Sequence, residues 1–204
     1  MKAKNVFWFL CLSILCLSCS KYFFDNNKKL SKGEAHELIN QWLFTVNNPK
    51  MNPAFIFSIE EATTTEIWRK MEAQLFYVPE LENLTIYIKD SKIFNLSKHI
   101  GAGGSKLENL VVSDLNNDKI KEICYTVEFG SGIRYTSVAC FIEQMDTVLF
   151  AEHFQFQTGF SLFPENNNRL ALKQKKEGKD SRIGYLLLGK KEGVLSFKLE
   201  KETN

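Results

Sequence analysis

The pattern of apolar and polar positions is clearest between residues 107 and 142, where three strand-like runs follow one another. Residues 107–113, 123–129 and 135–142 are rich in β-branched and aromatic side chains that alternate with polar ones. A loop of acidic and amide side chains separates the first two runs, and Gly130-Ser131-Gly132 separates the second from the third. Period-two runs broken by turn residues predict β-strands joined as hairpins.

The chain before this region favours helices. Ser31-Lys-Gly-Glu34 matches a capping box, which opens a helix. Apolar residues then follow at helical spacing, at Ala35, Leu38, Ile39, Trp42, Leu43 and Val46. Residues 63–74 predict a second helix, and strand-like runs recur from residue 84 to residue 199. We therefore predict an α+β fold, with N-terminal helices packed on a mainly antiparallel β-meander in a single domain, residues 31–204.

The N-terminus has the layout of a secretory signal peptide, because Lys2 and Lys4 precede an apolar run at residues 6–17. This run is shorter than the roughly twenty residues that a transmembrane helix needs. It ends at Leu17-Ser18-Cys19, which resembles the lipobox of bacterial lipoproteins, in a Phe- and Asn-rich style similar to that of Bacteroidota. The resemblance implies a signal peptide at residues 1–18, a lipidated Cys19 and a tether at residues 19–30. The alternatives are an ordinary cleaved signal and an uncleaved anchor.

Ser20, directly after the cysteine, resembles the sorting signal of outer-membrane lipoproteins, which implies a location in the outer membrane of the cell envelope. In such lipoproteins export to the cell surface is associated with acidic residues soon after the cysteine, and the first one here is Asp25. We therefore predict the periplasmic face. Residues 1–18 hold two of the 26 basic residues and none of the 24 acidic ones, so the mature chain has no net charge. This balance does not favour a nucleic-acid partner.

A candidate metal site lies in the loop between the first two strand-like runs. Asp114, Asn116, Asp118 and Glu122 place side-chain oxygens at positions one, three, five and nine, and Ile120 offers a backbone carbonyl at position seven. Calcium takes about six to eight oxygen ligands, and short loops supply several from alternate residues. The run resembles the Asp-x-Asn-x-Asp loop of FG-GAP/VCBS-type repeats. The resemblance implies a calcium site with Asp114, Asn116, Asp118 and Glu122 as its side-chain ligands.

Two features of this loop differ from the family pattern. Lys119 stands where the family usually has glycine, which adopts positive φ at little cost. In addition, the sequence holds a single copy of the loop, whereas a propeller stacks several repeats. We therefore predict a loop built into one small domain. The alternative is a polar β-turn in which Asp and Asn side chains bind their own backbone.

Cys124 and Cys140 remain after the signal peptide, and their midpoint falls on Gly132 in the predicted turn. A simple hairpin would place them nearly opposite each other, within reach of a disulfide, and an exported protein meets an oxidising compartment. We predict that bond, with two buried free thiols as the alternative.

The sequence contains no recognisable catalytic constellation. We therefore predict a non-enzymatic protein that is anchored in the membrane and binds a protein or an envelope component. One version is an immunity lipoprotein that neutralises a toxin. A second hypothesis is a hydrolase of envelope polymers, in which Asp114, Asp118 and Glu122 act as metal-held or acid–base carboxylates.

Overall fold

The computed structural model describes most of the chain after the predicted tether. The described residues are 28–46, 56–81, 84–97, 104–129, 135–151, 159–165, 169–176, 179–191 and 194–201. Within these ranges the chain forms two α-helices and twelve strands. The helices are α1 (Lys32–Thr45) and α2 (Thr65–Met71). Neither described helix is long and apolar enough to cross a membrane.

The strands form three four-stranded sheets, each an antiparallel meander of consecutive strands. Sheet I contains β1 (Glu60–Glu61), β2 (Gln74–Val78), β3 (Leu84–Lys89) and β4 (Lys92–Asn95). Sheet II contains β5 (Gly104–Ser113), β6 (Glu122–Phe129), β7 (Tyr135–Ile142) and β8 (Thr147–Phe150). Sheet III contains β9 (Phe160–Glu165), β10 (Arg169–Lys176), β11 (Lys179–Lys191) and β12 (Val194–Lys201).

Helix α1 begins where its sequence predicts. The Ser31 hydroxyl accepts a hydrogen bond from the Glu34 amide, and the Glu34 carboxylate accepts one from the Ser31 amide, which confirms the capping box. Ala35, Ile39 and Leu43 are buried on one side of the helix, against the outer face of sheet I. A shared apolar cluster, rather than intrinsic helix propensity, therefore stabilises most of this helix.

Sheet II lies between the other two sheets and is buried on both faces. On β6 and β7, Tyr125 and Phe141 point into a core shared with sheet I, here called core A. Cys124, Val138 and Cys140 point the other way, into a core shared with sheet III, here called core B. Because side chains alternate between the faces of a strand, one apolar run can fill two cores.

The predicted α+β class is wrong, because the protein is mostly β, with three antiparallel sheets and two helices among the described residues. The physical reason is the double burial of sheet II. A single meander covered by helices leaves one face for solvent, whereas the apolar residues of β6 and β7 require a cover on each face, and sheets I and III supply it. Helix α1 packs on sheet I alone, so the two described helices do not form a layer that covers one large sheet.

Candidate calcium loop and adjoining cleft

The acidic loop joins β5 to β6 and is closed by its own side chains. The Asp114 carboxylate accepts hydrogen bonds from the amides of Asp118 (3.0 Å) and Lys119 (2.9 Å). The Asn116 side-chain oxygen accepts from the Asp118 amide at 3.0 Å, and the Asp118 carboxylate accepts from the Ile120 amide at 2.7 Å. This capping is what the polar-turn alternative predicts. It also holds the side-chain oxygens of residues 114, 116 and 118 in one tight loop.

Lys119 adopts the left-handed conformation that the family assigns to glycine. Its φ is 71°, and that of the neighbouring Asn117 is 57°. For residues other than glycine this conformation costs roughly 1–2 kcal/mol, although asparagine tolerates it better than lysine. Lys119 therefore holds a conformation that glycine would adopt at little cost, and it does so at a cost in stability.

Glu122 is the most constrained side chain of the loop. It is 1% exposed at the start of β6, and its Oε2 accepts a hydrogen bond from the Leu115 amide at 2.9 Å. Its Oε1 is buried and has no hydrogen-bond partner. Burial is the main cause that raises the pKa of Glu122 to about 7, and the charges of Asp118 and Asp114 add to it, while the Leu115 amide opposes it. A buried carboxylate of this kind calls for a cation or a proton.

The loop supplies the kind of ligand atoms that calcium binds, but these atoms do not converge on one point in the structure. All five predicted ligands offer oxygen atoms, which calcium prefers, and the orphaned Oε1 of Glu122 is an oxygen that a cation would satisfy. However, among the described residues no three His, Cys, Asp or Glu side chains converge closely enough to hold a metal ion. Calcium binding therefore requires the Asp114 and Asp118 carboxylates to turn from backbone amides towards a common centre with Glu122.

A cleft of about 480 Å³ adjoins the loop. Its walls come from the loop, from the turn between β7 and β8, and from β11. Its lining is formed by Asn116, Asp118, Ile120, Ile142, Gln144, Met145, Leu188 and Gly189. The side chains of Ile120 and Met145 are 45% and 52% exposed, among the few large apolar groups that are exposed in the described chain. The lining of the cleft therefore combines apolar side chains with amide and carboxylate groups.

Sequence reasoning missed most of this cleft. It assigned Ile120 only a backbone carbonyl and gave no role to Met145 or Gly189. Exposed apolar residues in two separate turns were the available signal, and the meander of sheet II places both turns at the same end of the sheet. The wall from β11 depends on the stacking of sheet III on sheet II, which the sequence does not reveal.

The two cysteines are register partners on β6 and β7, which confirms their predicted opposition. Both are fully buried thiols, with Sγ atoms 3.0 Å apart. Burial raises the pKa of the Cys140 thiol well above its ordinary value. A disulfide needs an S–S distance near 2.05 Å, so oxidation requires only a small further approach. That bond stays a prediction, and the predicted lipidation site at Cys19 lies outside the described residues.

Comparison with known proteins adds no relative to this picture. No protein-family model, no curated protein and no solved structure matches the chain. The resemblance to FG-GAP/VCBS loops therefore stays a prediction from the loop residues.

Proposed function

We propose that this protein is a lipid-anchored, non-enzymatic binding protein of the bacterial cell envelope. The observation that carries the proposal is the cleft beside the acidic loop, which is lined by the half-exposed Ile120 and Met145 together with polar side chains. Its volume of about 480 Å³ lies within the range of roughly 300–1,000 Å³ that is usual for ligand sites. The apolar side chains of the lining supply affinity, and the polar side chains of Asn116, Asp118 and Gln144 orient the bound group.

The predicted anchor places this cleft near a membrane. Cys19 carries the acyl chains, and Ser31 caps the first helix of the body twelve residues later. Twelve residues reach at most about 40 Å when fully extended. A body held on such a tether samples only a thin layer above the periplasmic face of the outer membrane, so its partner is an envelope component or a protein that enters this layer.

Calcium has a structural role in this proposal. The ion would be held by the carbonyl of Ile120 and by the side chains of Asp114, Asn116, Asp118 and Glu122. Its positive charge would neutralise the buried Glu122 carboxylate, whose Oε1 has no hydrogen-bond partner. Because the same loop forms one wall of the cleft, holding the loop also holds Asn116, Asp118 and Ile120 in place. Calcium is therefore expected to raise both stability and partner affinity.

The raised pKa of Glu122 is also what a general acid needs, and this is the one observation that favours the hydrolase hypothesis. However, a general acid must contact its substrate, and the side chain of Glu122 is 1% exposed and lies beneath the loop. Its position suits a structural carboxylate better than a catalytic one.

The binding role is tested by affinity capture with the mature chain. The chain is immobilised and exposed to envelope extract, and retained components are identified by mass spectrometry. Ile120→Ser/Met145→Ser removes the two exposed apolar side chains from the lining of the cleft. Phe44→Ser/Ile56→Ser is the matched control, because it removes two exposed apolar side chains that do not line the cleft.

We expect one specific component to be retained by the wild type and by Phe44→Ser/Ile56→Ser, and to be reduced at least tenfold with Ile120→Ser/Met145→Ser. Equal retention by both variants would remove the cleft from the proposal. If no component is retained and the purified chain cleaves an envelope polymer, the hydrolase hypothesis replaces it.

A further inference from the structure

The turn between β7 and β8 is one turn of 3₁₀ helix, Glu143–Met145, that borders the cleft and also contacts sheet I. Gln144 and Met145 line the cleft together with residues of β11, and both side chains are exposed. Glu143 is partly buried, and its carboxylate contacts sheet I instead. The turn is therefore held on one side and offered to the cleft on the other.

Glu143 bonds to sheet I through a single carboxylate oxygen. The Tyr87 hydroxyl donates to its Oε2 at 2.9 Å, and the Lys89 ammonium donates to the same atom at 3.0 Å. Tyr87 and Lys89 lie two residues apart on β3, so they point to the same side of the strand. The side chains of Lys89 and Glu143 are 28% and 22% exposed, and hydrogen bonds to a charged group are stronger than neutral ones.

Tyr87 is a rigid donor in this link. It is fully buried in core A, where its ring packs against Phe94 and Phe141 at centroid distances of 5.7 and 5.4 Å. Burial is the main cause that raises the pKa of Tyr87 well above its ordinary value, and the charge of Glu143 adds to it, so the hydroxyl keeps the proton that it donates. The carboxylate is therefore held by a ring that cannot move without disturbing the packed core.

The other hydrogen bonds of the turn shape it but stay within it. The Asp146 amide donates to the Glu143 carbonyl at 3.2 Å, and the Thr147 hydroxyl donates to the Met145 carbonyl at 2.9 Å. Ile142, which precedes the turn, supplies no side-chain cap. In the described part of the chain, the Glu143 carboxylate is what bonds the turn to another sheet.

We propose that Tyr87 and Lys89 are positioning residues of the cleft, because they hold Glu143 and thereby fix where Gln144 and Met145 stand in its lining. This inference rests on the proposed function, since the position of the turn matters to a partner only if the cleft binds one. Tyr87 and Lys89 do not line the cleft, so their effect on binding passes through the turn. Without the link the turn samples other positions, and the affinity falls with the fraction of molecules that leave the binding position.

The first test variant is Tyr87→Phe, which removes the hydroxyl and keeps the ring. Its matched control is Tyr125→Phe. The Tyr125 hydroxyl is equally buried in core A, but it donates to the Leu96 carbonyl at 3.0 Å. Both variants lose one buried hydrogen bond, so a loss of stability alone affects them alike.

The second test variant is Lys89→Leu, which removes the ammonium at a partly exposed position and leaves core A intact. Its matched control is Lys70→Leu. The ion pair between Lys70 and Glu66 on α2 has a similar exposure, 31% and 34% for the two side chains. The two lysine variants therefore break comparable ion pairs, and the pair on β3 is the one joined to the turn.

The position of the turn is read from the methyl NMR signal of Met145 in the mature chain without a partner. The signal is assigned with Met145→Leu, and the buried Met71 serves as an internal reference. We expect both test variants to shift the Met145 signal towards its position in the unfolded chain, and both controls to leave it in place. An unmoved signal in both test variants, or an equal shift in the controls, would overturn the proposal.

Binding is then measured on the same variants with the component that the wild type retains from envelope extract. We expect retention to fall about fivefold with each test variant, the usual effect of one lost hydrogen bond, and to stay unchanged in the controls. A shifted Met145 signal with full retention would refute a role in binding. If the wild type retains no component, the proposed function fails, while the Met145 signal still decides whether Tyr87 and Lys89 hold the turn.

Discussion

Replacing Glu122 by glutamine should stabilise the calcium-free protein at pH 8 and leave it nearly unchanged at pH 5.5. The folded protein raises the pKa of this carboxyl from its ordinary 4.5 to about 7. A raised carboxyl pKa means that the folded state holds the proton more tightly than the unfolded state does. The stability contributed by Glu122 is therefore fully present below pH 4.5 and is lost as the pH rises through about 7.

The size of this effect follows from the shift. At 1.36 kcal/mol for each pKa unit, the difference between 4.5 and about 7 corresponds to roughly 3 kcal/mol lost by the wild type at high pH. Glutamine stays neutral, and its amide oxygen can still accept the Leu115 hydrogen bond. Its amide nitrogen replaces the orphaned Oε1 and costs about 1 kcal/mol as an unpaired donor. The expected gain at pH 8 is therefore about 2 kcal/mol.

The assay is urea denaturation in a chelator at several pH values from 5.5 to 8. Glu80→Gln is the control. Hydrogen bonds from Ser58 lower the pKa of Glu80, so this carboxyl finishes titrating below the tested pH range. The stability of its variant should therefore change with pH as steeply as that of the wild type. A wild type as stable at pH 8 as at pH 5.5, or a Glu122→Gln protein with the same slope as wild type, would refute the reasoning.

Calcium adds a second arm to this experiment. At a hundred times its dissociation constant a ligand stabilises a folded protein by about 2.7 kcal/mol. We expect the wild type to gain such stability from calcium at pH 8, to gain less at pH 5.5 because the proton competes, and Glu122→Gln to gain almost none.

Three further predictions concern separate features. Lys119→Gly should raise the free energy of unfolding by about 1 kcal/mol, because glycine adopts the φ of 71° without strain, whereas Lys119→Ala should not; equal effects in urea denaturation would point to the lysine charge instead. Protein purified from an oxidising compartment should have an intact mass two hydrogens lower than the reduced chain, and Cys124 and Cys140 should resist alkylation after unfolding. Reduction should lower the free energy of unfolding by about 3 kcal/mol for a loop of this length. Two labelled thiols would contradict this. Mass spectrometry of the native N-terminus should show an acylated Cys19, and an intact Met1 or an end without lipid would exclude the anchor.

Local features of the fold were predictable from the sequence because local interactions determine them. The capping box at Ser31 sets the start of α1, and a symmetric hairpin places Cys124 opposite Cys140. The second helix is shorter than predicted, since it ends at Met71, where Glu72 adopts the left-handed conformation. Nothing in the apolar spacing of residues 63–74 signals that change, because it depends on how the chain turns into β2.

The arrangement of the sheets was not predictable in the same way. A strand such as β6 shows the same apolar run whether it lies in one large sheet or between two small ones, because periodicity does not reveal which elements cover each face. The three meanders repeat in architecture but not in sequence, since the acidic loop occurs only in sheet II. The cleft depends on the same long-range packing, and so do the burial and raised pKa of Glu122.

Because the middle sheet supplies a wall to both core A and core B, the two cores cannot melt independently. Removing either neighbour would leave a row of apolar side chains facing water, including Val138 and Ile142 on the side of sheet III. The three sheets should therefore unfold together in one cooperative step, and a chain truncated before β9 should self-associate through the uncovered row. Such a protein has no dispensable layer.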